Sequence, residues 1–391
     1  MFFFCCSVVC LGHEVLVHNL GVRLAIELNL TLLYEPLLGS AERGDHAELK
    51  GMSGALERII GVGKGEAAVD GAVKSMTTTW LSRPCPDGAK KHVGGGAKWK
   101  DVLKRVKQEG SSAKARNNVV YRLCGDVGGV QLAGVATSGA KYAFGPTGSW
   151  WRSKMAQAGR SDPSAHATPL FTSPTAGASA PLRTIHIAVH IRRGDMVYRN
   201  FHDQLSPDAY YAHSMWHVLT LLDAAHSSTH GTAASSPLAV VFHVFSQPPP
   251  KRSWTGKPKV PLASGAAYVD ELGCSADLHA QLAALRGDSG RSTSRTTRWE
   301  VRMHLDVDPV QSILHMAKAD VLIASDSSFS LVAAVLSNGL VLSRGGWRRF
   351  APAAREGMVQ SMTVRDDGGF ECEEAMRHWA SVKRGPVSQT F

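Results

Sequence analysis

The carboxy-terminal half of the chain alternates between the apolar runs of buried strands and the 3.6-residue spacing of amphipathic helices. Apolar and β-branched runs predict strands over residues 184–191, 238–245, 299–305, 321–324 and 340–343. Helical spacing and capping residues predict helices that begin near residues 207, 270, 309 and 329. Strands that alternate with helices in this way are typical of a parallel sheet covered on both faces. We therefore expect an α/β fold in this half.

The amino-terminal half begins with a similar pattern that soon weakens. It predicts a strand over residues 2–11, a turn at Gly12, a helix over residues 16–28 and a second strand over residues 30–34. Only short elements follow, namely helices at residues 52–60 and 99–107 and a strand at residues 119–123. A stretch rich in Ser, Ala, Pro and Thr predicts a flexible linker. The expected organisation is an α/β domain over residues 1–160, a linker over 161–182 and a second domain over 183–391.

Composition and charge narrow the classes of partner. The 391 residues are 44% hydrophobic and 19% charged, which is typical of a globular protein, and the formal net charge of +10 favours anionic partners. A nucleic acid is not the expected partner, because the basic residues are scattered and no RNA-binding or zinc-finger motif is present. The seven cysteines include no CxxC pair, so we expect no structural zinc site.

The first candidate site is the segment HIRRGD, where a buried strand ends in charged residues. His190, Arg192, Arg193 and Asp195 lie between this strand and a helix for which Ser206 and Pro207 are the expected start. Ligands of open α/β sheets bind at the carboxyl ends of strands, and paired guanidinium groups suit a phosphate or a carboxylate. The alternative is a surface loop with a solvated basic pair.

The second candidate site is the segment SDSSFS, which also follows a buried strand. Ser327 and Ser328 offer hydroxyl groups, and the amides at the start of the next helix can bind an anion. An ordinary serine cap is the alternative. Because both segments follow strands of the same predicted sheet, we expect them to face one crevice and to hold a diphosphate between them.

These residues carry a resemblance to a known family. The order His190-x-Arg192-x-x-Asp195, then a strand ending in Phe245-Ser246, then Ala319-Asp320 and the serine segment resembles the GDP-fucose-dependent fucosyltransferases. That superfamily includes the α-1,2, the α-1,6 and the protein O-fucosyltransferases. The amino-terminal turn and the phrase LAIELNLTLLYEP also resemble the first helix and strand of the family. The resemblance covers the start of the chain and most of residues 183–343.

The resemblance implies two Rossmann-like domains that face each other across a cleft, with the nucleotide bound mainly by the second. It implies an inverting transfer of fucose from GDP-fucose to a hydroxyl group of a glycan or a protein, without an essential metal or other cofactor. It also implies a location in the secretory pathway, in the endoplasmic reticulum or the Golgi apparatus.

The resemblance also assigns roles to individual residues. Arg192 would contact the donor diphosphate and stabilise the charge that develops on it, and Arg193 would share that role. Asp195 would orient the two arginines through an ion pair between its carboxylate and their guanidinium groups. The remaining donor contacts would come from His190, near the nucleotide, and from the diphosphate-binding loop, Ser327, Ser328 and Phe329.

Two positions depart from the family pattern. Where several members have an acidic residue that binds the guanine edge, this chain has Ser312, and Asp308 is a possible substitute. Asp308 precedes Pro309, however, so it is also expected to cap a helix. The usual glycine-asparagine phrase of the first turn becomes Gly12-His13-Glu14, and the resemblance implies that Gly12 is a donor-binding residue. Glu14 is a candidate general base for the acceptor, or a first-turn helix residue stabilised by the helix dipole.

Other classes of function remain open at this point. A non-catalytic protein that binds a nucleotide-sugar or a glycan could keep the same fold. The tripeptide Arg193-Gly194-Asp195 matches an adhesion motif, although it follows a buried strand. The apolar start, FFFCCSVVCL, is too short to span a bilayer and lacks the positive charge that precedes a signal peptide. We therefore expect no transmembrane segment in this chain.

Overall fold

The computed structural model divides the chain into two compact units. It describes residues 2–5, 11–34, 52–64, 66–68, 77–80, 104, 107–108, 119–124, 143–171, 183–192, 206–229, 238–246, 297–305, 307–345 and 355–365. Unit 1 comprises Met1–Ala167 and Arg349–Met358, and unit 2 comprises Thr168–Arg348 and Val359–Phe391. The boundary after Ala167 falls inside the predicted linker. The segment Arg349–Met358 belongs to unit 1, whereas the sequence assigned it to the second domain.

Within its described residues, unit 1 contains two small parallel sheets and three helices. Its strands are β1 (Phe2–Cys5), β2 (Leu33–Tyr34), β3 (Ala67–Ala68), β4 (Thr77–Trp80) and β5 (Val119–Cys124). Its helices are α1 (Leu11–Leu28), α2 (Met52–Ile60) and α3 (Gly148–Ser161). One sheet has the order β1-β5-β4, and β2 pairs with β3. The predictions of a helix at residues 52–60 and of a strand near residues 119–123 are confirmed.

The start of unit 1 differs from the prediction at both ends of α1. The helix begins at Leu11, so Gly12 lies within it and does not form the predicted turn. At the other end, Asn29 has a left-handed backbone with φ of 50°, and the Leu30 amide donates to the Ala25 carbonyl at 2.8 Å. This bond closes the last turn of the helix in the manner of a Schellman cap, so the following strand is limited to Leu33–Tyr34.

A buried asparagine joins α1 to α3 in unit 1. The Trp151 indole N–H donates to Asn19 Oδ1 at 3.0 Å, and the Thr147 hydroxyl donates to the same oxygen. Asn19 Nδ2 donates to the Ala143 carbonyl at 3.3 Å. The Asn19 side chain therefore has partners for its buried carbonyl and amide groups, as a polar group in a core requires.

Unit 2 is built around a six-stranded sheet in which every pairing is parallel. Its strands are β6 (Arg183–Ile191), β7 (Leu238–Ser246), β8 (Thr297–Leu305), β9 (Val321–Ala324), β10 (Leu340–Arg344) and β11 (Gln360–Val364). Its helices are α4 (Asp208–Thr229), α5 (Pro309–Lys318) and α6 (Ser328–Leu336), and a 3₁₀ helix spans Pro169–Phe171. The strand order is β11-β10-β9-β6-β7-β8. The prediction of a parallel sheet is confirmed, whereas the helix expected near residue 270 lies outside the described residues.

Helices cover both faces of this sheet, because successive side chains of a strand point to opposite faces. On one face, Ile187 and Val189 of β6 pack with Tyr211 and Met215 of α4 in the main hydrophobic core. His190, which points to the other face, contacts α6. The sheet is therefore buried on both sides, which explains why its central strands are almost wholly apolar.

Helix starts in unit 2 follow local capping chemistry. The Asp308 carboxylate accepts the Gln311 amide at 2.8 Å, and Pro309 is the first residue of α5, so the capping prediction is confirmed. Helix α4 begins at Asp208, one residue later than predicted. Pro207 still contributes, because its carbonyl accepts the Tyr210 amide at 3.0 Å. Among the described residues, no helix has the length and apolar character needed to cross a membrane.

Candidate anion-binding site

The candidate site lies where the strand order of unit 2 changes direction. From β6 the chain adds β7 and β8 on one side of the sheet, and it then returns to add β9, β10 and β11 on the other side. The carboxyl ends of β6 and β9 therefore lie next to each other with connections that lead away in opposite directions. In open α/β sheets, such a switch point leaves a crevice in which ligands bind.

His190 brings the two predicted segments together at this point. It is the second-last residue of β6, its side chain is buried, and its Nδ1 lies 2.5 Å from Ser330 Oγ and 2.7 Å from Ser325 Oγ. The two serine oxygens are 3.0 Å apart, and the Ser325 amide donates to Ser330 Oγ at 3.2 Å. The end of β6 is thus hydrogen-bonded to the turn between β9 and α6.

The electrostatic environment keeps His190 neutral. Burial, and to a lesser extent the nearby positive charge of Arg192, lower the pKa of His190 to about 3. Arg192 directly follows β6, so the end of this strand presents a guanidinium group beside a neutral imidazole. This pair can attract an anion without placing two positive charges in contact.

The serine turn at the start of α6 uses its own hydroxyl oxygen to bind amides that the sequence predicted to be available to an anion. Ser327 is the N-cap, and its hydroxyl oxygen accepts the amides of Phe329 and Ser330, each at 3.1 Å. These two amides, which the sequence offered to an anion, are therefore already bonded. An anion here would meet the positive end of the helix dipole and the serine hydroxyl groups. The Phe329 ring lies 5.2 Å from the His190 ring.

Backbone and side-chain bonds fix the positions of the strand ends. The Ser246 hydroxyl donates to the Ile191 carbonyl at 3.0 Å, which ties the end of β7 to the end of β6. Asp320 Oδ2 accepts the His186 amide at 3.0 Å, and the Asp320 amide donates to the His186 carbonyl at 2.9 Å. Asp320 thereby extends the pairing of β6 with β9. The Asp320 of the Ala319-Asp320 motif therefore has a structural role.

The remaining predicted residues either belong to other elements or lie outside the described residues. Arg193 and Asp195 lie outside the described residues. Gly12 and Glu14 lie in the first turn of α1 in unit 1, so the helical position expected for Glu14 is confirmed and its role as a base stays a prediction. Asp308 caps α5 as described above, and Ser312 uses its hydroxyl to donate to the Asp308 carbonyl at 3.1 Å.

Sequence reasoning missed a histidine cluster on the same face of the sheet, formed by His186, His243, His304 and His315. His186 Nδ1 lies 3.1 Å from His243 Nε2, and His243 Nδ1 lies 2.9 Å from His304 Nε2. The Phe171 ring stacks on His186 at 4.5 Å and contacts His315 edge-on at 5.2 Å. A usable signal was present, because histidines at alternate positions of apolar strands share one face.

Neither the models of known protein families nor the curated proteins contain a match for this chain. Within the described ranges, no group of three or more His, Cys, Asp or Glu side chains has the arrangement needed to hold a metal ion.

Proposed function

We propose that this chain is an inverting, metal-independent glycosyltransferase that transfers fucose from GDP-fucose to a hydroxyl group of a glycan or a protein. The observation that carries the proposal is the contact between the two motif segments at the switch point of a parallel sheet. His190 of the first segment is hydrogen-bonded to Ser325 and Ser330 of the second. Arg192 and the start of α6 flank this contact, and both favour a negatively charged ligand.

In the proposed reaction, Arg192 acts on the leaving group. The acceptor oxygen attacks the anomeric carbon of fucose from the side opposite GDP, a new C–O bond forms, and the bond to the diphosphate breaks. Negative charge then grows on the diphosphate, and a guanidinium group fixed beside it stabilises the transition state more than the ground state. Glu14 of α1 is the proposed base that takes the acceptor proton, from an amino-terminal Rossmann-like domain across a cleft.

A donor screen tests this proposal. We expect the full chain to bind GDP-fucose more tightly than GDP-mannose, UDP-glucose or UDP-galactose, as measured by calorimetry. We also expect it to release GDP from GDP-fucose in the presence of a panel of glycan and glycoprotein acceptors. Binding of GDP-fucose without GDP release would instead identify a non-catalytic nucleotide-sugar-binding protein. Equal binding of all four donors would contradict specificity for GDP-fucose, and binding of none would contradict both functions.

Metal dependence provides a separate test of the same proposal. Because the two segments offer guanidinium, imidazole and hydroxyl groups to the diphosphate, we expect the GDP release rate to be unchanged by an excess of EDTA. The measurement is the initial rate with EDTA, with added Mn²⁺ and with neither. Activity that disappears with EDTA and returns with Mn²⁺ would show that a cation neutralises the leaving group.

A further inference from the structure

The contact around His190 allows its ring proton to be assigned by counting hydrogen-bond donors. Four hydrogens are involved: the Ser325 amide, the hydroxyl hydrogens of Ser325 and Ser330, and the single proton of a neutral imidazole. The Ser325 amide uses Ser330 Oγ as its acceptor. Within the described part of the chain, the two hydroxyl groups otherwise form hydrogen bonds only with each other and with His190 Nδ1.

If the proton were on Nδ1, the hydrogen bonds could not all be made. Nδ1 would donate to one serine oxygen, one hydroxyl hydrogen would go to the other serine, and the second hydroxyl hydrogen would have no acceptor among these groups. A buried hydroxyl hydrogen without an acceptor destabilises the folded protein. The Nδ1–H arrangement is therefore disfavoured.

If Nδ1 is unprotonated, the Ser325 amide and both hydroxyl hydrogens have acceptors, and the ring proton is on Nε2. Ser330 Oγ–H donates to Nδ1, Ser325 Oγ–H donates to Ser330 Oγ, and the Ser325 amide donates to the same oxygen. We propose that Ser325 and Ser330 are positioning residues that keep the proton of His190 on Nε2, so that this ring presents an N–H donor at the switch point. The use of that donor for the GDP diphosphate rests on the proposed function, whereas the position of the proton does not.

The consequence is a site in which a neutral imidazole acts as a hydrogen-bond donor. Nε2 is the only other polar atom of the ring, and in the neutral state it can donate only if Nδ1 is bare. An anionic oxygen needs a donor, so the serine pair selects the form of His190 that can bind it. Neither serine needs to contact the ligand for this effect.

The position of the proton can be measured directly by NMR on the full chain with ¹⁵N-labelled histidine. Long-range ¹H–¹⁵N correlations at pH 7.5 distinguish the two neutral forms, and His190→Gln identifies the His190 signals by their loss. We expect a protonated Nε2 and a bare Nδ1 whose resonance is shifted by an accepted hydrogen bond. A protonated Nδ1, alone or together with Nε2, would overturn the proposal without any serine variant.

The role of the serines is tested by removing both hydroxyl groups. In the double variant Ser325→Ala and Ser330→Ala, we expect the Nδ1 resonance to move toward that of an unbonded imidazole nitrogen and GDP to bind about tenfold more weakly. Ser330→Thr keeps the hydroxyl and should preserve both values. Ser214→Ala is the matched control, because Ser214 is a buried serine of α4 that donates to the Tyr210 carbonyl at 2.7 Å. An Nδ1 resonance unchanged in the double variant would refute the serine role.

These readouts separate this inference from the proposed function. If the NMR results are as expected but GDP does not bind, the positioning role stands and the proposed function fails. If GDP binds equally well to the parent and the double variant, Nε2–H is not a donor to the nucleotide. Should the double variant not fold, the parent spectrum and the Ser330→Thr spectrum still decide the position of the proton.

Discussion

Arg192→Lys is expected to lower the rate of GDP release from GDP-fucose by a factor of roughly 100 to 1,000 while changing GDP affinity much less. Lysine keeps the positive charge but loses the planar, forked donor geometry of the guanidinium group. If that geometry acts on charge that develops only in the transition state, its loss should affect turnover more than ground-state binding. The expected loss corresponds to roughly 2 to 4 kcal/mol in the activation free energy.

The design of this experiment must separate two adjacent arginines. Arg193→Lys should be measured together with Arg192→Lys, because the structure describes the position of Arg192 but not that of Arg193. Arg302→Lys is a suitable control, since Arg302 lies on β8, where its guanidinium group bonds to the Glu300 carboxylate at 2.7 Å. We expect this control to leave turnover unchanged. If both Arg192→Lys and Arg193→Lys release GDP at the parent rate, neither arginine is catalytic and the proposed role of the first segment fails.

Local structure in unit 2 could be predicted from the sequence because its causes are local. All nine residues of β7 are buried, and the apolar run of residues 238–245 reports that burial directly. The Asp308-Pro309 pair determines the start of α5 through one carboxylate and one ring, both visible in the sequence. The same holds for β6, which the structure extends by one residue beyond the predicted strand.

The arrangement of the candidate site could be predicted only in part. Both segments were expected to face one crevice, and the contact between His190 and the serine turn confirms that they meet. The contact itself joins His190 to Ser325, residues 135 positions apart, and it depends on β9 lying beside β6. No local pattern specifies that neighbour. The sequence also could not show that Ser327 binds the amides of α6, because a capping serine and a ligand-binding serine have the same sequence signal.

The start of unit 1 shows why the amino-terminal prediction was less accurate. Apolar residues continue from β1 into α1, so the sequence contains no break in hydrophobicity at the point where the helix begins. Gly12 was interpreted as a turn because glycine often marks one. In the structure it is the second residue of α1, and the turn that ends this helix is formed instead by Asn29.

The protein is expected to lose stability steeply as the pH falls below about 6.5, because buried histidines stay neutral in the folded state. The pKa values of His18, His190 and His243 are lowered to about 4, about 3 and about 2, with burial as the largest cause in each case. For His243, the neighbouring His304, His186, Arg302 and His315 lower the pKa in the same direction. An unfolded histidine titrates near 6.5. Below that pH the unfolded chain binds protons that the folded chain excludes.

The sign of the effect follows from this difference in bound protons. Above about pH 7.5 both states are neutral at these histidines, and the free energy of unfolding is at its full value. Below about pH 6.5 it falls by up to about 1.4 kcal/mol per pH unit for each fully buried histidine. For His18, His190 and His243 together, the loss is roughly 5 kcal/mol between pH 6.5 and pH 5. That loss is large beside the roughly 5 to 15 kcal/mol that stabilises a typical folded domain.

The other members of the histidine cluster should add to this loss. Burial lowers the pKa of His304 to about 4 and also lowers the pKa values of His186 and His315. The Asp320 carboxylate opposes the shift at His186, whereas the positive charge of Lys318 reinforces the shift at His315. Since the whole cluster and His190 belong to unit 2 and His18 belongs to unit 1, unit 2 should be the more acid-sensitive of the two.

Urea unfolding at a series of pH values between 7.5 and 5 measures this dependence. We expect the free energy of unfolding to decrease toward pH 5. At that pH, unit 2 should unfold at a lower urea concentration than unit 1. His18→Gln should reduce the pH dependence of the free energy of unfolding of unit 1 by about one proton. It should leave the pH dependence for unit 2 unchanged. His243→Gln should have the converse effect. A free energy that stays constant or rises toward pH 5 would mean that these histidines are accessible to protons in the folded protein.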